Sequence, residues 1–237
     1  MEFGLSERSE RWRGDLMAFF EQEVLPRHRA WLDHVRTHND TPPFMAELQR
    51  KARAAGLWNL GLPELAADEP GTRLSNLDYA PLAEIMGRLF WAPEVFNCQA
   101  PDVPNMIALQ NCATPEQKAR WLAPLLNAET RSAFGMTEPD VASSDATNIE
   151  CRIQKDGNDY VIDGEKTWIS NGGIADVYTL FARTGEAPGA RGISAFVVFP
   201  DDPGFGIAER IDVVAPHPLA TLRFTNCRIP ASRRLGA

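Results

Sequence analysis

The sequence predicts an α+β multidomain fold, an all-α amino-terminal domain followed by a β-barrel or sandwich domain, on three observations. Apolar residues recur at helical spacing from about Leu5 to Asn127, they alternate with polar ones after Glu129, and Gly and Asp turn signals crowd the second half. With 237 residues the chain exceeds the roughly 100–150 of a typical single domain, and the change of period divides it into 1–129 and 130–237.

In the helical half, Trp12, Leu16, Phe19 and Val24 form one apolar stripe, and Phe44, Leu48, Ala52 and Ala55 a second. A third helix is expected in LDYAPLAEIMGRL, with regular turns beginning near Pro81 because proline suits a first turn. The strongest start signal is Thr114-Pro115-Glu116-Gln117. Thr114 can cap, Pro115 fits the first helical position, and Gln117 completes a capping box. In the second half IECRIQ, DYVI, EKTWIS, VYTLFA, ISAFVVF and LRFTNCRI read as short strands, and Asp156-Gly157 and Asp163-Gly164 as two-residue hairpin turns.

Composition excludes several classes. A net charge of −8 and the absence of a basic patch argue against a nucleic-acid binder, Arg50, Lys51 and Arg53 reading as one solvated helix face. Four dispersed cysteines without a CxxC pair suggest reduced thiols and a cytoplasmic protein, and His28, His34 and His38 read as a wet helix face rather than metal ligands. No apolar run reaches the roughly 18 residues of a membrane span, and MEFGLSERSERWRGDL has neither the apolar core of a signal peptide nor the acid-poor composition of a transit peptide.

Two polar runs carry the candidate chemistry. In MTEPDVASSDATN (136–148) the side chains of Thr137, Ser143, Ser144, Thr147 and Asn148 gather after the strand SAFGM. Such a loop either receives phosphate or carbonyl oxygens on free amides or is a solvated turn binding its own backbone. In TWISNGG (167–173), Trp168 and Ser170 share one strand face and Ile169 the other. An indole beside a hydroxyl suits a flat, heteroatom-edged ligand, although Trp168 as a core aromatic fits the spacing equally.

FGMTEP…SSD (134–145), YVIDGEKTWISNGG (160–173) and LRFTNCRIPASRRLG (222–236) together resemble the β domain of the FAD-dependent acyl-CoA dehydrogenases. GLWNLGLPE (56–64) and TPEQKARWLAPLL (114–126) resemble that family's amino-terminal domain, and MTEPDVASSDATNIE with APEVFNCQAPD (92–102) is similar to the animal members ten and eleven. The resemblance implies α,β-dehydrogenation of an acyl-CoA thioester in fatty-acid oxidation, FAD as cofactor, electron transfer flavoprotein as electron acceptor, and an oligomeric assembly. It implies flavin contacts from Phe134, Met136, Thr137, Trp168, Ile169 and Ser170, a pyrophosphate contact from Ser143 or Ser144, and acyl-CoA contacts from Ser144 and Thr184. This chain reads TEPDVASSD where much of the family reads TEPxAGSD, one residue longer and without glycine.

The family's catalytic glutamate belongs to a carboxyl-terminal helical domain. The expectation is therefore a truncated or split enzyme with no catalytic base of its own, inactive alone, Glu138 and Glu165 being read as loop and hairpin organisers. A flavin monooxygenase or nitroalkane oxidase of the same fold, and a non-catalytic structural subunit of a hetero-oligomeric dehydrogenase, are the alternatives.

Overall fold

The computed structural model describes residues 4–38, 40–141, 145–214 and 217–236. Two compact units are present, Met1–Val103 and Pro104–Ala237.

The first unit contains α1 (Glu7–Phe19), α2 (His28–Val35), α3 (Met45–Ala54), α4 (Asn76–Met86) and α5 (Ala92–Val95). The predicted stripes point inward in part: Leu16, Val24, Leu48 and Ala52 are buried in one core with Phe20 and Met45, Trp12, Phe19 and Phe44 pack at its margin, and Ala55, just past the end of α3, is exposed. Trp31 stacks on Trp91 at 5.9 Å in the same core. A π-turn over Phe20–Val24 follows α1 and shifts the phase of the stripe there. The expected start of α4 near Pro81 is corrected. Ser75 caps the helix, its hydroxyl accepting from Asp78 N at 3.2 Å, and regular turns begin at Asn76 with Pro81 inside. The side-chain cap and the burial of Leu82, Ile85 and Met86 outweigh the one hydrogen bond that proline removes.

In the second unit α6 (Asp102–Cys112) runs in from the first, followed by α7 (Pro115–Gln117) and α8 (Ala123–Leu126). The Thr114 capping box is complete: Gln117 N donates to the Thr114 hydroxyl at 3.3 Å and Thr114 N to Gln117 Oε1 at 3.0 Å. Gln117 Nε2 also donates to the carbonyl of Arg234, so the cap ties this segment to the end of the sheet.

The described strands are β1 (Ser132–Gly135), β2 (Arg152–Asp156), β3 (Asp159–Ser170), β4 (Val177–Arg183), β5 (Ile193–Val198), β6 (Phe205–Arg210) and β7 (Leu219–Pro230). They form one curled sheet in the order β1-β4-β2-β3-β7-β6, with β5 also on β4. β1 runs parallel to β4, and the β2–β3, β3–β7, β4–β5 and β6–β7 pairs are antiparallel. The Asp156-Gly157 hairpin joins β2 to β3, Gly157 supplying a φ of +63°.

Asp163-Gly164 is not a hairpin, which corrects the second expected turn. DYVI and EKTWIS are one twelve-residue strand. Opposite Asp163 the partner strand β7 carries the extra residue of a β-bulge, with Asn226 at φ +48°, and at Gly164 φ is +143° and an added Cβ would lie 2.9 Å from Cys151 Cα. Close approach of Cys151, just before β2, rather than chain reversal, requires the glycine.

Candidate functional site

The two polar runs meet. Thr167 N donates to the Thr137 carbonyl at 2.9 Å, fastening the loop that leaves β1 against the last third of β3. A second β-bulge interrupts the β3–β7 register between Lys166 and Ile169 and places Trp168 at φ +58°. A bulky residue at positive φ costs about 1–3 kcal/mol, so the surrounding structure must impose it. The result is an indole that is 58% exposed, which settles the choice left open by spacing against a core aromatic. Ile169 turns inward and is 1% exposed, leaving only its backbone for a ligand, whereas the Ser170 side chain remains half-buried.

After β1, Met136, Thr137, Val141, Ala146 and Ile149 line a small cleft, and the half-buried Phe134 packs on Phe181 with ring centres 4.7 Å apart. The acidic residues Glu138 and Asp145 also line that cleft. Among the described residues the Thr137 N–H has no acceptor, while its carbonyl is used by Thr167. Asp145 closes the far side of the loop by accepting from Thr147 N and Asn148 Nδ2, at 3.0 and 2.7 Å. Thr147 and Asn148, counted among the donors of the polar run, are exposed there. Arg183 at the end of β4 holds the same segment, donating to the carbonyls of Thr147 and Ile149 at 2.5 and 2.7 Å. Ser143 and Ser144 lie outside the described residues. Thr184 stands one residue beyond β4, and its hydroxyl donates to the Gly192 carbonyl at 3.1 Å.

Underneath lies a group that the sequence reading passed over. Lys166 is 0% exposed, and its ammonium donates to Glu138 Oε1 at 2.7 Å and to the Met136 carbonyl at 3.0 Å. Glu138 also accepts from Glu150 N at 2.7 Å and Cys151 N at 2.9 Å, so one carboxylate ties the segment after β1 to the residues that lead into β2. Burial pulls the Lys166 pKa down against the attraction of Cys151 and Glu138. Burial likewise pushes the Cys151 thiol up to about 12. A signal existed: Lys166 shares a phase of the strand with Tyr160 and Ile162, and a charge on a buried face requires a partner.

Glu138 therefore organises the loop, and Glu165 pairs with Arg223 of β7 at 2.6 Å. Asn171, at φ +62°, buries its side chain and donates from Nδ2 to the Ser132 carbonyl at 2.8 Å, which anchors the SNGG turn to the start of β1. Gly172 in that turn leaves no room for a side chain, an added Cβ lying 2.6 Å from Ala220 Cβ. Glu138 and Asn171 thus hold the two runs from below, and Trp168 is the exposed residue of the second.

The models of the acyl-CoA dehydrogenase amino-terminal and middle domains match residues 6–129 and 133–227. The chain belongs to the acyl-CoA dehydrogenase family. It is 43% identical to acyl-CoA dehydrogenase family member 11 of Gallus gallus over 82% of this chain and 26% of that protein. It is 40% identical to family member 10 of Mus musculus over 96% of this chain and 22% of that protein. A solved Mycobacterium abscessus structure assigned as an acyl-CoA dehydrogenase superimposes with a TM-score of 0.91 at 39% identity, covering 99% of this chain and 61% of that one. The chain thus spans about a quarter of the length of these two curated family members. The helical domain followed by a curled β-sheet domain is the arrangement that the sequence predicts for this family.

Proposed function

We propose that this chain supplies the flavin-binding face of an acyl-CoA dehydrogenase, with FAD seated between the MTEP and TWISNGG runs. The observation that carries the reading is the junction itself: an exposed indole forced to positive φ, one residue from the Thr167–Thr137 hydrogen bond, beside a Thr137 N–H without an acceptor. That combination fits a flat ring with a hydrogen-bonding edge. FAD supplies hydride acceptance when bound.

In this reading Trp168 covers one side of the isoalloxazine, Phe134 and Met136 line its pocket, and Thr137 donates to its pyrimidine edge. Ser170 and the Ile169 backbone lie along the same edge of β3, and Ser143 or Ser144 meets the pyrophosphate. Ser144 and Thr184 are the proposed contacts to acyl-CoA. The proposed domain boundary is 129/130, which the change of period and the limits of the two matched models support, whereas the compact units divide at 103/104, α7 and α8 falling in the second.

The whole protein would remove the α-proton and β-hydride of an acyl-CoA thioester in fatty-acid oxidation, pass electrons to electron transfer flavoprotein, and act as an oligomer in the cytoplasm. No helix among the described residues is long and apolar enough to cross a membrane. Glu138 and Glu165 are committed to Lys166 and Arg223, so neither is assigned as base, and this chain alone is proposed to be inactive.

Titration of the purified chain with FAD, followed by tryptophan quenching, tests the site. Saturable quenching that is lost in Trp168→Ala, together with at least tenfold weaker calorimetric affinity in Thr137→Pro, is expected. Calorimetry showing no FAD binding, or binding indifferent to both substitutions, would overturn the reading.

A further inference from the structure

We infer that Lys166, held by Glu138, is a positioning residue that strengthens the hydrogen bond offered by Thr137 N–H and thereby favours reduced over oxidised flavin. The inference rests on the proposed FAD site and deepens it.

The link is one peptide group. The Lys166 ammonium donates to the Met136 carbonyl at 3.0 Å, and that carbonyl shares its peptide with Thr137 N. A cation bonded to the oxygen of an amide draws electron density from the nitrogen, so the N–H becomes a better donor; in a low-dielectric interior such polarisation is transmitted rather than screened. Thr137 N–H has no acceptor among the described residues, so its donor strength is available to a ligand. Addition of two electrons and one proton to FAD leaves one extra negative charge on the ring, spread over its N1 and C2=O edge. A strengthened donor at that edge stabilises the reduced form more than the oxidised form.

The rest of the arrangement keeps the ammonium in place. Lys166 is 0% exposed and Glu138 6%, and the carboxylate is in turn fixed by Glu150 N and Cys151 N. A buried ion pair is a poor way to gain stability, because well-packed apolar residues commonly do as well. Here the pair lies directly beneath the junction of the two runs, where its field reaches the site.

The test replaces both charges while retaining hydrogen bonds. Glu138→Gln with Lys166→Gln in the chain saturated with FAD is expected to bind reduced flavin about tenfold more weakly relative to oxidised flavin. That corresponds to a two-electron midpoint potential lower by about 30 mV, measured by dye equilibration under dithionite titration. Glu138→Gln with Lys166→Met should show the same direction and serves if the first pair does not fold. An unchanged potential in a folded variant overturns the inference alone, whereas a wild-type chain that takes no FAD overturns it together with the flavin site. Failure of both neutral pairs to fold would assign the pair to stability and also overturn it.

Discussion

Lys51 in the helical unit and Lys166 in the β unit each reach a glutamate at nearly the same distance, 2.8 Å to Glu23 and 2.7 Å to Glu138. Lys51 is 42% exposed in its side chain and shares its charge with Glu47 as well; the hydrogen bond to Glu23 raises its pKa. Lys166 is sealed from solvent, and burial lowers its pKa despite the same kind of partner. Distance is therefore a poor guide to what an ion pair does. In water the pair is screened and nearly neutral in energy, whereas in the interior each charge is tolerable only while the other is present.

The largest expected effect breaks the second pair alone. Lys166→Met strands the Glu138 carboxylate and should destabilise the protein by about 3–5 kcal/mol, measured by urea denaturation. Lys51→Met should leave the same transition unmoved. Next, Leu48→Ala, at a site of 0% exposure in the helical core, should cost about 2–5 kcal/mol without touching flavin binding. Stability loss without loss of the site would separate the two units' contributions.

Alkaline pH sharpens the contrast further. Burial raises the Cys151 and Cys227 thiols to about 12, well above an unfolded value near 8.5. Their contribution is fully present below about pH 8.5 and is lost as pH rises toward 12, at up to about 1.4 kcal/mol per pH unit for each thiol. Lys166 acts with the opposite sign, since its lowered pKa makes the unfolded state bind more protons until pH passes the ordinary lysine value. With Cys98, which burial raises to about 11, three thiols outweigh one amine, so the urea midpoint should fall between pH 8 and about pH 10.5, and Cys151→Ala should fall less over that interval. The smallest change expected is in Trp168→Gly, which relieves the positive φ and should raise stability by about 1 kcal/mol while weakening FAD binding. Loss of stability instead would mean that Trp168 is held for packing.

Local features were legible wherever a few neighbouring residues decide them. The Thr114 box, the Asp156-Gly157 hairpin and the stripe of Leu16 and Val24 depend on side chains within one or two turns, and they stand where the sequence places them. Asp163-Gly164 carried the same hairpin signal and lies inside β3, because the deciding contact, Cys151, comes from the segment just before β2. Pro81 suggested a helix start and sits inside one, the cap at Ser75 and the buried face of α4 having decided the register.

The site divides in the same way. Strand phase alone separates Trp168 and Ser170 from Ile169, and chain order alone puts a polar loop after β1. That Trp168 faces solvent, that Thr167 N finds the Thr137 carbonyl, and that Lys166 and Glu138 meet across 28 positions were decided only by the packing of β3 against the loop beyond β1. Periodicity and turn chemistry are short-range and are written in consecutive residues. Bulges, buried charges and strained backbone are fixed by groups distant in the chain, whose desolvation and close approach exist only once the sheet has formed.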